Sequence, residues 1–328
     1  MSDIAHIRYA ELWASLWQKN SPHDRITFLI YDGDRVESQD VISLPRGYLW
    51  QKKIAHHGHG PSRVISFSRL PPLDMSIPTI THVPDMVDVF YPRYTQNYIR
   101  RRYDGYTFRK NLKLSRYLIV PHRGIERDIV DMYGISEEKI SIIPSLIEVQ
   151  WENRGSFLFW EGQKYKNVIL TEGTSWNEWN PLELLHAYSR YVHEMGGMRK
   201  LLIHGDMGEN LGHMTSMIRS FDLIEHVRLV GILTKPEYDL LYTQAGTWIY
   251  AWSYYSGWYT LGKAIGYGLP LILSDIEWLQ AQNATYVHPN HLEELPALLA
   301  QSLTHFETVP HHVKNMQILE AYKRIIAL

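Results

Sequence analysis

The chain contains no cysteine, which excludes disulfide bonds, thiolate zinc sites and a cysteine nucleophile. It also lacks any apolar run of the roughly 18 residues that a membrane-spanning helix requires. Residues 1–20 carry charged side chains within an apolar pattern, which predicts an amphipathic helix and not a signal peptide. We therefore expect a cytoplasmic protein whose contact with a membrane is at most peripheral.

The chain has little net charge, with 33 Lys and Arg against 35 Asp and Glu. Such a balance creates no extended positive field, which argues against a nucleic-acid partner. Residues 100–116 depart from it, with seven cations and one acid. A solvated helix face is the ordinary interpretation of such a run. The alternative is a contact with anionic lipid head groups or a phosphorylated acceptor, and its candidates are Arg100, Arg101, Arg102, Arg109 and Lys110.

The length of 328 residues suits two domains of about 150 residues each. Short β-branched runs alternate with helical patterns through both halves, which predicts parallel, doubly wound α/β sheets. Predicted strands cover 25–31, 62–68, 77–82, 117–121, 139–143, 167–171, 200–204, 227–230, 247–252 and 270–274. Residues 148–165 interrupt the alternation and are the predicted connection between the domains.

Three stretches carry a resemblance to a known family. They are residues 114–144, with LSRYLIVPH, RDIVDMYG and KISIIP in order; residues 230–242 (VGILTKPEYDLLY); and residues 255–270 (YSGWYTLGKAIGYGLP), followed by Asp275. In this order they resemble the retaining glycosyltransferase family 4, which has the GT-B fold, and the match covers residues 114–305. The family label rests on the ordered set and not on any one motif.

The resemblance implies two Rossmann-like α/β domains that face a cleft. We expect an acceptor-side domain over 1–152, a nucleotide-sugar domain over 153–308, and a C-terminal helix over 309–328 that packs back on the first domain. The implied activity is transfer of a sugar from a nucleotide-sugar to a hydroxyl acceptor, with retention at the anomeric carbon. No metal or other cofactor is implied. Family members begin with a strand before the first helix, and here that strand is either absent or replaced by residues 25–31.

The third stretch has a physical logic of its own. A glycine-rich turn between a strand and a helix presents backbone N–H groups and the positive end of a helix dipole, which suits a diphosphate. We expect residues 256–261 to form that turn, and a tight connection without a ligand is the alternative. With the turns after two other strands, the candidate donor residues are Gly173, Thr174, Gly231, Ile232, Thr234, Ser256, Gly257, Trp258, Tyr259, Thr260 and Lys263.

The sequence departs from the family at the donor site. Ser256 and Lys263 replace two acids, and Thr174 and Trp179 replace an Arg and a Lys that pair with the diphosphate. A helix predicted over 262–267 places Lys263 near a positive dipole end, where an ammonium is favourable only beside a bound anion. We therefore expect Lys263 to contact a phosphate, and its replacement by Ala to weaken nucleotide binding without lowering the melting temperature.

On the acceptor side, residues 79–86 (TITHVPDM) resemble a family segment in which a His lies near the reacting sugar. Asp85 aligns, Pro84 occupies the His position, and His82 lies two residues earlier. His82 and Asp85 are the catalytic candidates, and a structural strand-end histidine is an equal alternative for His82. His56, His57 and His59 resemble a metal cluster in composition only, and we interpret them as a polar loop.

Two functions remain open from these residues. The first is the glycosyltransferase described above, since backbone N–H groups can hold a diphosphate without the missing side chains. The alternative is a catalytically silent GT-B protein that acts as a binding or regulatory subunit of a transferase. The accumulated replacements at the donor and acceptor positions favour the alternative, and the ordered motifs favour the enzyme.

Overall fold

A computed structural model of the chain describes residues 4–31, 41–44, 63–67, 78–90, 98–147, 168–174, 179–208, 210–254, 258–276, 279, 284–289, 291–301 and 311–327. The chain divides into two compact units. The first contains Met1–Val89, Tyr94–Leu146 and His312–Leu328, and the second contains Phe90–Arg93 and Ile147–His311. Both predicted domain boundaries, at 152/153 and 308/309, lie outside the described residues.

The elements of the first part of the chain follow the predicted alternation. They are α1 (Ile4–Asn20), β1 (Phe28–Tyr31), β2 (Val41–Leu44), β3 (Val64–Ser66), β4 (Thr79–His82), α2 (Val87–Phe90), α3 (Tyr98–Leu114), β5 (Tyr117–Val120), α4 (Arg123–Tyr133), a 3-10 turn (Glu137–Lys139) and β6 (Ile140–Ile142). Strands β3, β4, β5 and β6 form a parallel sheet in that order. The predicted strand over 25–31 forms as β1, but it pairs with β2 in a separate two-stranded sheet.

The second part of the chain continues the pattern. Its elements are β7 (Val168–Glu172), α5 (Pro181–His193), β8 (Leu201–His204), α6 (Asn210–Ser220), β9 (Val227–Val230), α7 (Lys235–Gln244), β10 (Ala245–Tyr250), α8 (Trp258–Gly266), β11 (Leu271–Ser274), β12 (Ala284–Val287), α9 (Leu295–Ala300) and finally α10 (His311–Ala327). The six strands form one parallel sheet in the order β9-β8-β7-β10-β11-β12. The expected pair of parallel-sheet α/β units is therefore confirmed, and β12 is a strand that the sequence patterns did not predict.

Local sequence explains where several helices begin and end. Helix α4 stops at Gly134, which adopts a left-handed conformation (φ 63°) and donates its N–H to Val130. Helix α5 begins after Asn180, whose side chain accepts from the Glu183 N–H at 3.4 Å, and Pro181 occupies its first turn. These are the capping residues expected at helix ends, because they satisfy backbone groups that have no partner within the helix.

The last helix, α10, contributes to the core of the first unit. Tyr322 is fully buried and its ring centroid lies 5.8 Å from that of Trp13 in α1. Burial raises the pKa of Tyr9 to about 12, against smaller lowering effects of Tyr322 and of the Leu146 amide. The Leu146 N–H donates to the Tyr9 hydroxyl at 3.2 Å. Helices α1 and α10 and the segment after β6 thus share one buried cluster.

This cluster makes a stability prediction for Tyr322→Ala. Loss of a fully buried aromatic ring leaves a cavity against Trp13 and should destabilise the first unit by about 3–5 kcal/mol. Hydrogen exchange followed by mass spectrometry should show faster exchange in α1 and unchanged exchange in β7 and β8. Met316→Ala, on the same helix but 39% exposed, is the matched control and should leave α1 protected. Equal protection of α1 in both variants would contradict the packing role of α10.

Candidate functional site

The strand order of the second sheet indicates where a ligand binds. Strand β7 has β8 and β9 on one side and β10, β11 and β12 on the other. Open parallel sheets bind ligands outside the carboxyl ends of the strands, at the point where the order reverses. That point lies between β7 and β10. The segments that follow these strands and their neighbours therefore define the candidate site.

Two glycines shape the end of β7 and β8. A Cβ atom on Gly173 would lie 2.9 Å from Ile203 and 3.0 Å from the Trp179 ring. Gly205 has φ 120°, and a Cβ atom there would lie 2.4 Å from the Gly173 carbonyl oxygen. The Gly173 N–H donates to the His204 carbonyl at 2.7 Å. No larger side chain fits at either position, so the two strand ends stay in close contact.

The two residues that the resemblance placed at cation positions, Trp179 and Thr174, are packing residues. Trp179 is 4% exposed and lies against Gly173. Thr174 is 9% exposed, and its carbonyl accepts from the Asn210 side chain at 2.9 Å. These contacts tie the segment after β7 to the first turn of α6. Their side chains provide no charge to a ligand.

The turn between β9 and α7 is exposed. Gly231 is exposed with open space around its Cα, and 57% of Ile232 is accessible. Thr234 precedes α7, and both its N–H and its hydroxyl donate to Oε2 of Glu237 at 2.7 Å. The hydroxyl contact and then the N–H contact of Thr234 lower the pKa of Glu237. The Thr234–Glu237 hydrogen bonds hold the turn, and its Gly231–Ile232 segment is accessible to solvent.

The connection from β10 to α8 differs from the expected turn. Helix α8 already begins at Trp258, so residues 258–261 are helical and not part of a turn over 256–261. Ser256 and Gly257, and the side chains of Trp258 and Tyr259, lie outside the described part of the chain. Thr260, in the first turn of α8, is 3% exposed and donates its hydroxyl to Oε2 of Glu172 at 2.7 Å. Glu172 ends β7, and sequence reasoning missed it.

Lys263 does not lie where the sequence placed it in its helix. Because α8 begins four residues before the predicted start at 262, Lys263 falls in its last turn, away from the positive dipole end. Its side chain is 1% exposed and forms an ion pair with Asp239 of α7, which is fully buried. The Nζ atom also lies 5.0 Å from the ring centroid of Tyr238 and 5.8 Å from that of Tyr242. A phosphate contact by Lys263 stays a prediction, and the dipole reason for it was wrong.

The ion pair belongs to a larger buried group, which we call the Lys263 cluster: His204, Tyr238, Asp239, Tyr242 and Lys263. The Tyr238 hydroxyl and Nδ1 of His204 are 2.9 Å apart. The Tyr238 and Tyr242 rings stack at 5.5 Å. The cluster therefore links the end of β8 to helices α7 and α8. Paired and hydrogen-bonded groups of this kind hold neighbouring elements in one arrangement.

The two catalytic candidates of the first unit are both buried. His82 is fully buried, and its ring stacks on Tyr9 at 5.1 Å and lies 5.6 Å from Phe67. Asp85 is 3% exposed, and its Oδ1 accepts from the Val87 N–H at 3.0 Å at the start of α2. The ring contacts of His82 match the alternative in which this histidine is structural. The hydrogen bond of Asp85 gives it a role in forming the turn before α2. Their participation in catalysis stays a prediction.

The remaining polar residues that the structure describes form no metal site. Burial lowers the pKa of His122, at the end of β5, to about 4. Among the described residues no group of three His, Asp or Glu side chains is arranged to hold a metal ion, and His56, His57 and His59 lie outside them. No helix in the described ranges is long and apolar enough to cross a membrane.

Neither protein-family models nor curated protein sequences match this chain. Solved structures do. WaaG, a glycosyltransferase involved in lipopolysaccharide biosynthesis, is 14% identical, covers 95% of this chain and 88% of its own, and gives a TM-score of 0.64. HepE of Anabaena, in complex with UDP and glucose, is 11% identical, covers 92% of this chain and 100% of its own, and gives 0.60.

A third structure, the lipopolysaccharide outer core galactosyltransferase WaaB, is 14% identical, covers 95% of this chain and 90% of its own, and gives a TM-score of 0.56. The chain has the GT-B fold. At these identities the likeness establishes the arrangement of secondary structure in this chain. It does not by itself assign a donor, an acceptor or a reaction.

The Lys263 cluster makes a prediction that replaces the earlier expectation of an unchanged melting temperature. Lys263→Met should destabilise the protein by about 3–5 kcal/mol, because it leaves the Asp239 carboxylate buried without its partner. The double variant Lys263→Met, Asp239→Leu should recover most of that loss. Lys323→Met, which removes the partly exposed pair with Glu320, is the matched control and should cost at most about 1 kcal/mol. Denaturant unfolding measures all three, and a neutral Lys263→Met would show that the pair contributes nothing.

Proposed function

We propose that the chain is a glycosyltransferase that moves a sugar from a nucleotide-sugar donor to a hydroxyl acceptor. The observation that carries the proposal is the order reversal between β7 and β10, with an exposed turn at the end of β9. Structures with this fold include one with UDP-glucose bound. Placement in glycosyltransferase family 4, with retention at the anomeric carbon and no metal or other cofactor, is part of the proposal and rests on the sequence resemblance.

In this proposal the nucleotide lies across the carboxyl ends of the second sheet. The base meets the backbone of Gly231 and Ile232, whose turn Thr234 holds in place. The diphosphate meets the backbone after Gly173 and the start of α8, where Ser256, Gly257, Trp258 and Tyr259 precede or open the helix. The first N–H groups of α8 point along its axis and favour an anion at that end. His82 and Asp85 remain the proposed acceptor-side residues.

A diphosphate leaving group gains negative charge as the sugar departs. Donors that are already aimed at that charge usually provide the largest part of catalysis. With Thr174 and Trp179 in the cation positions, this chain would rely on backbone N–H groups for the task. The expected activity is therefore slow compared with a transferase that has both cations.

One observation favours the silent GT-B protein as a second candidate. The described segments that follow β7, β8, β10 and β11, namely 173–174, 205–208, 251–254 and 275–276, contain no Lys or Arg. Lys263, the cation that the sequence offered instead, is paired with Asp239. A regulatory subunit that binds a transferase needs no charge at this edge. It would keep the fold and lack turnover.

Calorimetry with UDP-, GDP- and ADP-glucose tests the proposal. One of the three should bind the parent protein, and slow release of free glucose should accompany it. Ile232→Glu should weaken that binding by about fivefold to tenfold, because a base that meets the Gly231–Ile232 backbone would have to desolvate the added carboxylate. Ile224→Glu is the matched control. Ile224 is also 57% exposed, but it precedes β9 and therefore lies at the amino ends of the strands.

Three results separate the alternatives. Binding without any sugar release or transfer favours the silent protein. Equal effects of the two Ile variants would place the nucleotide elsewhere. No binding of any nucleotide by the parent would overturn the proposed donor class.

The exposed side of α3 supports the second part of the proposal, a peripheral contact with the inner face of a cytoplasmic membrane. Tyr98, Ile99 and Tyr106 are 67%, 74% and 64% exposed. Arg101, Arg102, Arg109 and Lys110 are exposed on the same helix, whereas the side chain of Arg100 is outside the described set. Exposed aromatic and cationic side chains together suit the interface of an anionic bilayer.

Vesicle sedimentation tests this contact. The parent protein should bind phosphatidylcholine vesicles only when they contain phosphatidylglycerol. The double variant Arg109→Glu, Lys110→Glu should weaken this binding by about tenfold or more, since each basic residue near the surface contributes about 1 kcal/mol. The control Arg219→Glu, Arg324→Glu makes the same charge change at exposed positions of α6 and α10. Equal losses in both variants, or binding that ignores the anionic lipid, would contradict a specific α3 contact.

A further inference from the structure

Glu172 is an acidic residue in an unusual place. Val168, Ile169, Leu170 and Thr171 of β7 are all buried, as expected of a parallel strand covered on both faces. Glu172 is the last residue of the strand and is only partly buried. Because side chains alternate along a strand, it continues the face that carries Val168 and Leu170. The strand thus ends in a carboxylate at the point where the strand order reverses.

A residue of helix α8 holds the Glu172 carboxylate in place. The Thr260 hydroxyl of α8 donates to its Oε2 at 2.7 Å, although the two residues lie 88 positions apart. Thr260 is 3% exposed, so its hydroxyl has little freedom to rotate away. On the other side of Glu172, Gly173 and Gly205 pack closely together, and the Gly173 N–H donates to the His204 carbonyl. The carboxylate therefore lies between the carboxyl end of β7 and the first turn of α8.

The chemistry of the Glu172 carboxylate limits which part of a nucleotide-sugar it can bind. An ionised carboxylate accepts hydrogen bonds and donates none, and it repels a diphosphate. The described segments at this edge contain no Lys or Arg that would offset that repulsion. The groups of a nucleotide-sugar that donate hydrogen bonds to a carboxylate are the hydroxyls of the ribose and of the transferred sugar and the N–H groups of the base. The proposed function places the base at the Gly231–Ile232 turn after β9, so the hydroxyls are the donors left for Glu172.

We propose that Glu172 is a specificity-determining residue that accepts hydrogen bonds from sugar-ring hydroxyls of the donor, with Thr260 as the residue that positions it. This inference rests on the proposed function, since it assigns a ligand group within the same site. A contact to the ribose and a contact to the transferred sugar share this chemistry. The experiment below distinguishes them.

The test measures binding of UDP, 2′-deoxy-UDP and UDP-glucose by calorimetry, or the matching guanosine or adenosine compounds if the parent protein prefers that base. Glu172→Gln keeps the shape and removes the charge. It should weaken UDP-glucose binding by about tenfold or more, the size expected when a charge-assisted hydrogen bond is lost. Glu225→Gln makes the same change at an exposed residue before β9, at the amino ends of the strands. It should leave UDP-glucose binding unchanged.

The nucleotide series locates the contact. If the carboxylate meets the transferred sugar, Glu172→Gln weakens UDP-glucose binding and leaves UDP binding unchanged or tighter, since a charge that repels the diphosphate is gone. If it meets the ribose 2′-hydroxyl, the variant also weakens UDP binding and loses the preference of the parent for UDP over 2′-deoxy-UDP. If it meets the ribose 3′-hydroxyl, which 2′-deoxy-UDP keeps, the variant weakens all three ligands and its melting temperature is that of the parent. Each of these results supports the inference.

Thr260 provides an independent arm. Thr260→Val removes the hydroxyl that holds Glu172 and should weaken the same ligands as Glu172→Gln, whereas Thr260→Ser keeps the hydroxyl and should restore binding. A merely structural Thr260 would change the melting temperature and leave the ligand preference as it is in the parent.

Two results would overturn the inference. The first is unchanged binding of all three ligands by Glu172→Gln. The second is an equal loss for all three together with a lower melting temperature of the ligand-free variant, which would show only a structural role at the start of α8. In both cases the parent still binds nucleotide and the proposed function survives. If the parent binds no nucleotide, the proposed function fails and this inference fails with it.

Discussion

Close contact between the ends of β7 and β8 is the constraint on which the second unit depends. Gly173 and Gly205 leave no room for a Cβ atom where the two strands end. The Gly173 N–H donates a hydrogen bond directly to the His204 carbonyl. With β8 pinned in this way on one side, β7 pairs with β10 on the other. The sheet order reverses at that strand, and the turns after the strands then meet at the carboxyl ends of the sheet.

The distribution of charge around that edge is the opposite of what a diphosphate site usually has. The cation that the sequence offers is inside the Lys263 cluster, where Asp239 neutralises it. The charge at the end of β7 is the carboxylate of Glu172. Desolvation offsets much of the attraction within a buried ion pair, so this pair joins α7 to α8 at little net gain in stability. In the proposed function, a ligand here would meet backbone N–H groups and the hydrogen-bond acceptor Glu172.

Much of the fold follows from local sequence. The helical pattern over 123–133, closed by Gly134, predicts α4, and the pattern over 235–244 predicts α7. Both helices have these bounds in the structure. These predictions succeed because caps and hydrophobic periodicity act between residues a few positions apart. Strand β12 was missed, since ATYV is short and its first three residues are only partly buried. The start of α8 was also missed, because bulky Trp258 and Tyr259 gave no helix-start signal.

The sequence by itself determined that this protein has two parallel α/β units and where most of their elements lie. Only the tertiary structure decided the order of the strands, the pairing of Lys263 with Asp239, the burial of His82 against Tyr9 and Phe67, and the contact of Thr260 with Glu172. The physical reason is distance along the chain. Each of these contacts joins residues that local patterns cannot relate, so only packing brings them together.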